Sequence, residues 1–264
     1  PRDPTIDDGD ELPDPDSVAA VAGHDGRKAL KGESHAERAY YAWKALRPHM
    51  DLLVSLPDET LFTYDSGVWN DEGVQTLREA GSKALGPYYS KGVRNELKEQ
   101  VATTDGYPRE KLGVKPATVA VENGLLDLNS RELRPLKPED YALRQLPVAY
   151  DPDAGAPRWE QFIEQSVESD RQKALQEYVG YCLHVGEMPI HRALLLVGTG
   201  SNGKSTFLNI VTELLGPENT TGYSLEDLVD SEYHVAQMHG TVANIDPDVG
   251  DWISNPSMFK KLVG

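Results

Sequence analysis

LLLVGTGSNGKSTFLNIVTELLG, residues 194–216, decides how this chain is read. Ala193–Val197 is a short apolar run of the kind that forms a buried strand. A glycine-rich turn follows, then Lys204 and Ser205. Phe207, Leu208, Ile210, Val211, Leu214 and Leu215 then repeat at helical spacing, and Gly216-Pro217 stops the pattern. Gly198-Thr199-Gly200-Ser201-Asn202-Gly203-Lys204-Ser205 fits G-x-x-x-x-G-K-[ST] at every fixed position, and Thr206 continues it into the helix. The chemistry needs these residue types. Glycines let successive N–H groups turn inward around an anion. The helix beginning near Lys204 points its positive end at the same place. Lys204 is placed to reach the β- and γ-phosphates of ATP, and the Ser205 hydroxyl to ligate Mg²⁺.

Such a loop needs an acid to hold the metal's water shell. MHGTVANIDPDVGDW, residues 238–252, offers two. Thr241–Ile245 is expected as a strand, with Asp246 and Asp248 at its C-terminal end, the edge where open α/β sheets bind ligands. Asp-Pro-Asp is also turn chemistry. With the glycine loop upstream the metal role is preferred. Asp248 is the better candidate, because Asp246 precedes a proline and shapes the turn.

The rest of the chain supplies scaffolding. Its length of 264 residues is enough for a large domain or two small ones. Residues 1–30 are expected as an acidic disordered linker, since PRDPTIDDGDELPDPDSVAA carries seven acids and four prolines. Glu33–Arg47 repeats Ala36, Ala39, Tyr40 and Trp43 at spacings of three and four, a helix. LFTYDSGVWNDEG, residues 61–73, reads as a hairpin turning at Asp65-Ser66-Gly67. VQTLREAGSKALG and KGVRNELKEQVAT read as two helices. Lys91, Arg94 and Lys98 share a face of the second, but Glu96 and Glu99 interrupt it, so a solvated face is preferred to a DNA contact. ATVAVENGLLDLNSRELRPL, from Ala117 to Leu136, predicts two or three small antiparallel strands, with Asn123-Gly124 as a hairpin signal. Trp159, Phe162 and Ile163 begin a helix. Leu175, Tyr178, Val179 and Cys182 line one face of another, where Cys182 is packing rather than chemistry.

Composition narrows the function classes. A lone cysteine excludes an internal disulfide and a cysteine-rich zinc site. The seven histidines, at 24, 35, 49, 184, 191, 234 and 239, show no metal-ligand spacing. No stretch approaches membrane-spanning length and no signal pattern opens the chain, which points to an intracellular, cytoplasmic protein. A net charge of −17 opposes non-specific binding to nucleic acid, while a local basic channel stays compatible with it. High solubility and adaptation to high salt are both open readings of that charge.

Several stretches, taken in order, resemble a known family. They are VENGLLDLNSRELRP, LPVAYDPDAGAPRWEQF, LQEYVGYCL, the glycine-loop segment, HGTVANIDPDV and the terminal FKKLVG, with LFTYDSGVWNDEG before them. They resemble the phage, plasmid and poxvirus primase-helicases, whose motor is a superfamily III helicase of the AAA+ class. The likeness spans roughly residues 35–264. It implies an α/β chain: a mixed helical and small antiparallel-sheet region over 31–187, then an incomplete P-loop ATPase core over 188–264. It implies an ATP- and Mg²⁺-dependent homohexamer that translocates on single-stranded or forked DNA, with a primase domain or other replication partners upstream. It gives Lys204 to the phosphates, Ser205 to the metal and the Asp246/Asp248 pair to the acidic strand end. It leaves Lys260 without a role. It also implies that the family's DNA-contacting hairpin, sensor residue and arginine finger are absent, so that the chain alone is expected to be near-inactive. A nucleotide-binding and oligomerisation module, a DNA-packaging ATPase and a small-molecule kinase are the competing readings. A kinase needs a basic lid, which residues 217–240 lack, and a packaging ATPase does not call for the region before the motor.

Overall fold

Asp14 and Pro15 start a helix, not a linker. The Asp14 carboxylate accepts from Ser17 N at 2.8 Å and Pro15 takes the first helical position, so the acid and proline that suggest disorder are N-terminal helix chemistry. Helix α1, Pro15–Val21, buries Val18 and Ala19, and a 3₁₀ turn at Arg27–Lys31 buries Leu30. The linker expectation therefore fails from residue 12 onward. The computed structural model describes residues 12–113, 117–183, 190–200, 202–238, 240–249 and 260. Residues 1–11, His184, Ser201, His239 and all of FKKLVG but Lys260 lie outside them.

The chain divides into two units, Pro1–Val114 with Lys137–Leu143, and Lys115–Leu136 with Arg144–Gly264. In the first, α2 (His35–Leu46) opens with a capping box in which Ser34 Oγ accepts from Glu37 N and Glu37 accepts from Ser34 N. Its buried face is Ala39, Ala42, Trp43 and Leu46. The helical period is as expected, but the stripe is rotated. Ala36 is exposed and Tyr40 is 50% exposed, because the row through 39, 43 and 46 faces the core. Strands β1 (Leu52–Leu56), β2 (Leu61–Asp65) and β3 (Val68–Asn70) follow. The β2–β3 turn has positive φ at both Ser66 (50°) and Gly67 (95°), the twist that suits a two-residue hairpin. Helices α3 (Gly73–Leu85) and α4 (Lys91–Asp105) fall where expected, and α4 buries Val93, Leu97 and Val101. Strand β4, Gly106–Pro108, then pairs in parallel with β1, giving the order β3-β2-β1-β4. Neither β1 nor β4 is among the sequence expectations: Leu52–Leu56 is an apolar run like Ala193–Val197, while the Gly-Tyr-Pro of β4 carries no strand pattern. The core joins α1–α4 to one face of this sheet through Leu46, Val54, Leu61, Leu85 and Leu97.

The second unit begins with the antiparallel sheet β5 (Thr118–Val121), β6 (Gly124–Asp127) and β7 (Leu133–Arg134). A hairpin joins β5 to β6 as expected, but its turn residues are Glu122 and Asn123, while Gly124 opens β6 opposite Val121. The Asp127 carboxylate shapes the next turn by accepting from Asn129 N and Ser130 N. Helices α5 (Pro157–Ser166) and α6 (Ser169–Cys182) follow, then α7 (Lys204–Leu215). Val119, Val121, Ile163, Leu175, Phe207, Val211 and Leu215 share one core. The expected boundary at residues 187/188 therefore falls inside this unit. Burial raises the Cys182 thiol above its ordinary range, consistent with packing rather than reactivity. After α7 come β8 (Thr220–Thr221), α8 (Leu225–Asp230), α9 (Glu232–Gln237) and β9 (Ala243–Asn244), with β8 and β9 parallel. The whole is a mixed α/β chain, and no helix among the described residues is long and apolar enough to cross a membrane.

Candidate phosphate-binding site

Asn202 and Gly203 lead into α7 with no side-chain cap hydrogen bond on the helix. Gly203 sits at the cap position with φ +83°, and Gly200 has the same φ. The first turn of α7, Lys204, Ser205 and Thr206, therefore presents backbone N–H groups that the helix leaves unpaired. Phe207 N closes a helical bond to Gly203 O at 2.9 Å. A side chain at Gly203 is disfavoured by the positive φ and crowded by α5, since its Cβ would lie 3.0 Å from Phe162 Cε2 and 3.1 Å from Ser166 Oγ. Helix α5 thus backs the loop, and Trp159 of α5 stacks on Phe207 of α7 at 5.9 Å between centroids.

Lys204 folds back onto the loop. Its Nζ donates to Gly198 O at 3.1 Å and to Asn202 Oδ1 at 2.9 Å. Thr199, Asn202, Ser205 and Thr206 are exposed, as an open loop requires. A concave run of uncapped N–H groups beside an ammonium can hold a multiply charged anion.

The expected strand Ala193–Val197 is not in a sheet. Leu194 and Leu196 pack on the second unit's core, while Leu195 is 65% and Val197 85% exposed. The alternation is that of a strand, but no ladder partner for it exists among the described residues. Tyrosines of α6 instead hold the backbone at Ile190 and at Leu194. The Tyr181 hydroxyl bonds both Ile190 N and Ile190 O at 3.0 Å, and Tyr178 is held by the Leu194 backbone.

The second expected strand forms, shortened to Ala243–Asn244. Val242 N donates to Asn219 O and Ile245 N to Thr221 O, both at 2.7 Å, which extends the pairing with the β8 side. The two acids beyond it differ. Half-buried Asp246 accepts from Leu225 N at 3.3 Å and from Asp248 N at 3.1 Å, so its carboxylate ties the strand end to the start of α8. Asp248 is exposed, with no side-chain hydrogen bond among the described residues. Two asparagines went unnoticed in the sequence. Asn244 accepts from Thr221 Oγ1 and Tyr223 N and donates to Tyr223 O, all at 2.9 Å. Buried Asn219 donates to Leu215 O at 2.8 Å and Gln145 O at 2.9 Å, closing the end of α7. Their only local signal is position, one at a strand end and one just past a helix stop.

Elsewhere, Lys98 lies 3.9 Å from Glu59, Lys91 is exposed and Arg94 is half-buried, so this face of α4 carries mixed charge. Lys260 is exposed. No group of three or more His, Cys, Asp or Glu side chains able to hold a metal occurs among the described residues. In the first unit a cavity of about 310 Å³ lies at the starts of β1 and β4, between Trp43, Arg47, Trp69 and Tyr141. Its walls bond one another: Trp43 Nε1 to Thr104 Oγ1, Arg47 to Asp105, and Trp69 Nε1 to Pro138 O, at 2.8–2.9 Å.

No curated protein matches the chain. Residues 196–264, from the glycine loop onward, match a family of unknown function (DUF5906). Residues 31–168, more than half of the chain, match the family described as D5 N terminal like. The chain belongs to this D5 N-terminal-like family, whose domain is the N-terminal region of phage and viral primase-helicase proteins.

Proposed function

We propose that the chain is part of an ATP-driven DNA helicase of the superfamily III type, within a viral or plasmid replication protein, and that Gly198–Thr206 is its phosphate cradle. One observation carries the reading: α7 begins uncapped behind a glycine turn, with the Lys204 ammonium folded over that turn. Membership in the D5 N-terminal-like family supports the replication context.

Lys204 then meets the β- and γ-phosphates, and the N–H groups at the start of α7 meet the remaining oxygens. Ser205 and Asp248 are the residues that would hold Mg²⁺. A single hydroxyl and a single acid fit that ion, which keeps most of its waters and binds through substrate phosphates. Held there, the ion would supply charge neutralisation for the phosphoryl group. Asp246 has a different part: both its described bonds go to backbone N–H groups, so it positions the strand end on which Asp248 sits. In this reading the intact enzyme is an intracellular AAA+ homohexamer on single-stranded or forked DNA, working with a primase domain or replication partner.

The test has two stages. Lys204→Ala abolishes binding of a fluorescent ATP analogue, and unchanged affinity rejects the cradle. The full-length parent protein then separates a forked DNA with ATP in a salt series that includes molar KCl. Tight nucleotide binding with no strand separation at any salt rejects the motor and leaves a nucleotide-binding and oligomerisation module.

A further inference from the structure

We propose that Asn202 sets the preference of the cradle between nucleoside diphosphate and triphosphate by holding one of the three Lys204 donors. The inference rests on the phosphate-cradle reading and deepens it. A lysine ammonium has three donors and no acceptor. Two are engaged, one by Gly198 O at 3.1 Å and one by Asn202 Oδ1 at 2.9 Å. Among the described residues the third has no partner and is left for a ligand.

The two acceptors are not equivalent. Gly198 O belongs to the loop backbone and moves only if the loop moves. Asn202 Oδ1 is on an exposed, rotatable side chain. Its amide lies across the first glycine of the loop: a Cβ on Gly198 would fall 1.9 Å from Asn202 Nδ2. Lys204 fixes which end of the amide faces it, because only the oxygen can accept. Gly198, Asn202 and Lys204 thus form a closed triangle at the mouth of the cradle.

Donor counting gives the consequence. A β-phosphate takes the one free donor and leaves the triangle intact. A γ-phosphate needs a second, and the Asn202 amide is the partner able to yield. Triphosphate binding therefore breaks the Asn202–Lys204 hydrogen bond and diphosphate binding does not. Asn202 is a positioning residue, acting on the phosphates through Lys204.

The test compares Mg²⁺-ADP with Mg²⁺ and a non-hydrolysable ATP analogue by calorimetry on the 264-residue chain. Circular dichroism checks that each variant folds. Asn202→Ala frees the second donor and tightens the triphosphate relative to the diphosphate by about three- to tenfold. Asn202→Asp holds the ammonium more strongly and repels the γ-phosphate, so the ratio moves the opposite way. A purely structural Asn202 changes both affinities together and leaves the ratio fixed. Wild-type binding with an unchanged ratio in both variants overturns the inference and spares the cradle. A folded wild-type chain that binds neither nucleotide overturns the cradle, and the inference with it.

Discussion

Two five-residue apolar runs, Leu52–Leu56 and Ala193–Val197, have nearly the same composition and opposite fates. The first is β1, flanked by β2 and β4, with Leu52, Leu53 and Val54 all buried. The second keeps the alternation of a strand but only half-buries Leu194 and Leu196, and is held at the Leu194 backbone by Tyr178 of α6. An apolar run becomes a doubly buried strand only where ladders form on both sides and a layer covers each face. Without them Ala193, Leu195 and Val197 stay exposed.

Truncation separates the two runs most sharply. Leu53→Ala removes buried methyl groups and costs about 2–5 kcal/mol, read as a lower urea midpoint with Trp43 and Trp69 as first-unit reporters. Leu195→Ala, at a side chain 65% exposed, changes stability by less than about 0.5 kcal/mol. Equal costs at the two sites collapse the comparison, because they mean that residues 193–197 are packed as tightly as β1.

The acids at the end of β9 give a smaller contrast. Asp246→Ala strips the acceptor from two backbone N–H groups and costs about 1 kcal/mol, the scale of a lost cap. Asp248→Ala leaves the thermal midpoint in place and weakens Mg²⁺-dependent nucleotide binding. Reversed results move the metal role to Asp246. Asp14→Ala costs a similar ~1 kcal/mol through the N-cap of α1. No change there shows that the Asp14 cap adds nothing to the stability of the first unit.

Local signals explain what was legible. The Ser34–Glu37 box, the Ser66-Gly67 turn and Asn123-Gly124 act within a few residues, so α2 and both hairpins follow from the string. The glycine loop is legible for the same reason, since its residue types are set by backbone geometry inside eight positions. The β1–β4 pairing is not, because Val54 meets Gly106 only after two helices and a hairpin intervene. The roles of Asp246 and Asn244 are equally hidden: each is defined by a partner near residue 223, some twenty positions away. Acid and proline at residues 13–16 misled because the same residues serve linkers and helix starts, and only burial of Val18 separates the two.

Acid makes the gentlest comparison between the units. In the first, hydrogen bonds from Ser55 and Thr60 and the nearby Arg109 guanidinium hold the Asp58 carboxyl below its usual range. In the second, Asp127 is lowered by the N–H groups of Ser130 and Asn129, and Asp227 by Ser224 and His234. All three pKa values fall on folding, so each carboxylate adds stability that is present above its unfolded pKa and is lost as pH drops through the folded one. The thermal midpoint is therefore level near neutrality and declines from about pH 4 downward. Asp58→Asn removes a tertiary contact, because Arg109 lies about fifty positions from Asp58 in sequence and 3.7 Å from it in space. The substitution flattens that acid decline for the first unit, read through Trp43 and Trp69. Asp127→Asn removes only a local turn contact, so the first-unit slope stays as it was. A slope unmoved by Asp58→Asn assigns the acid sensitivity of this unit to other carboxylates, with Asp14 and Glu37, both also lowered, as the next to replace.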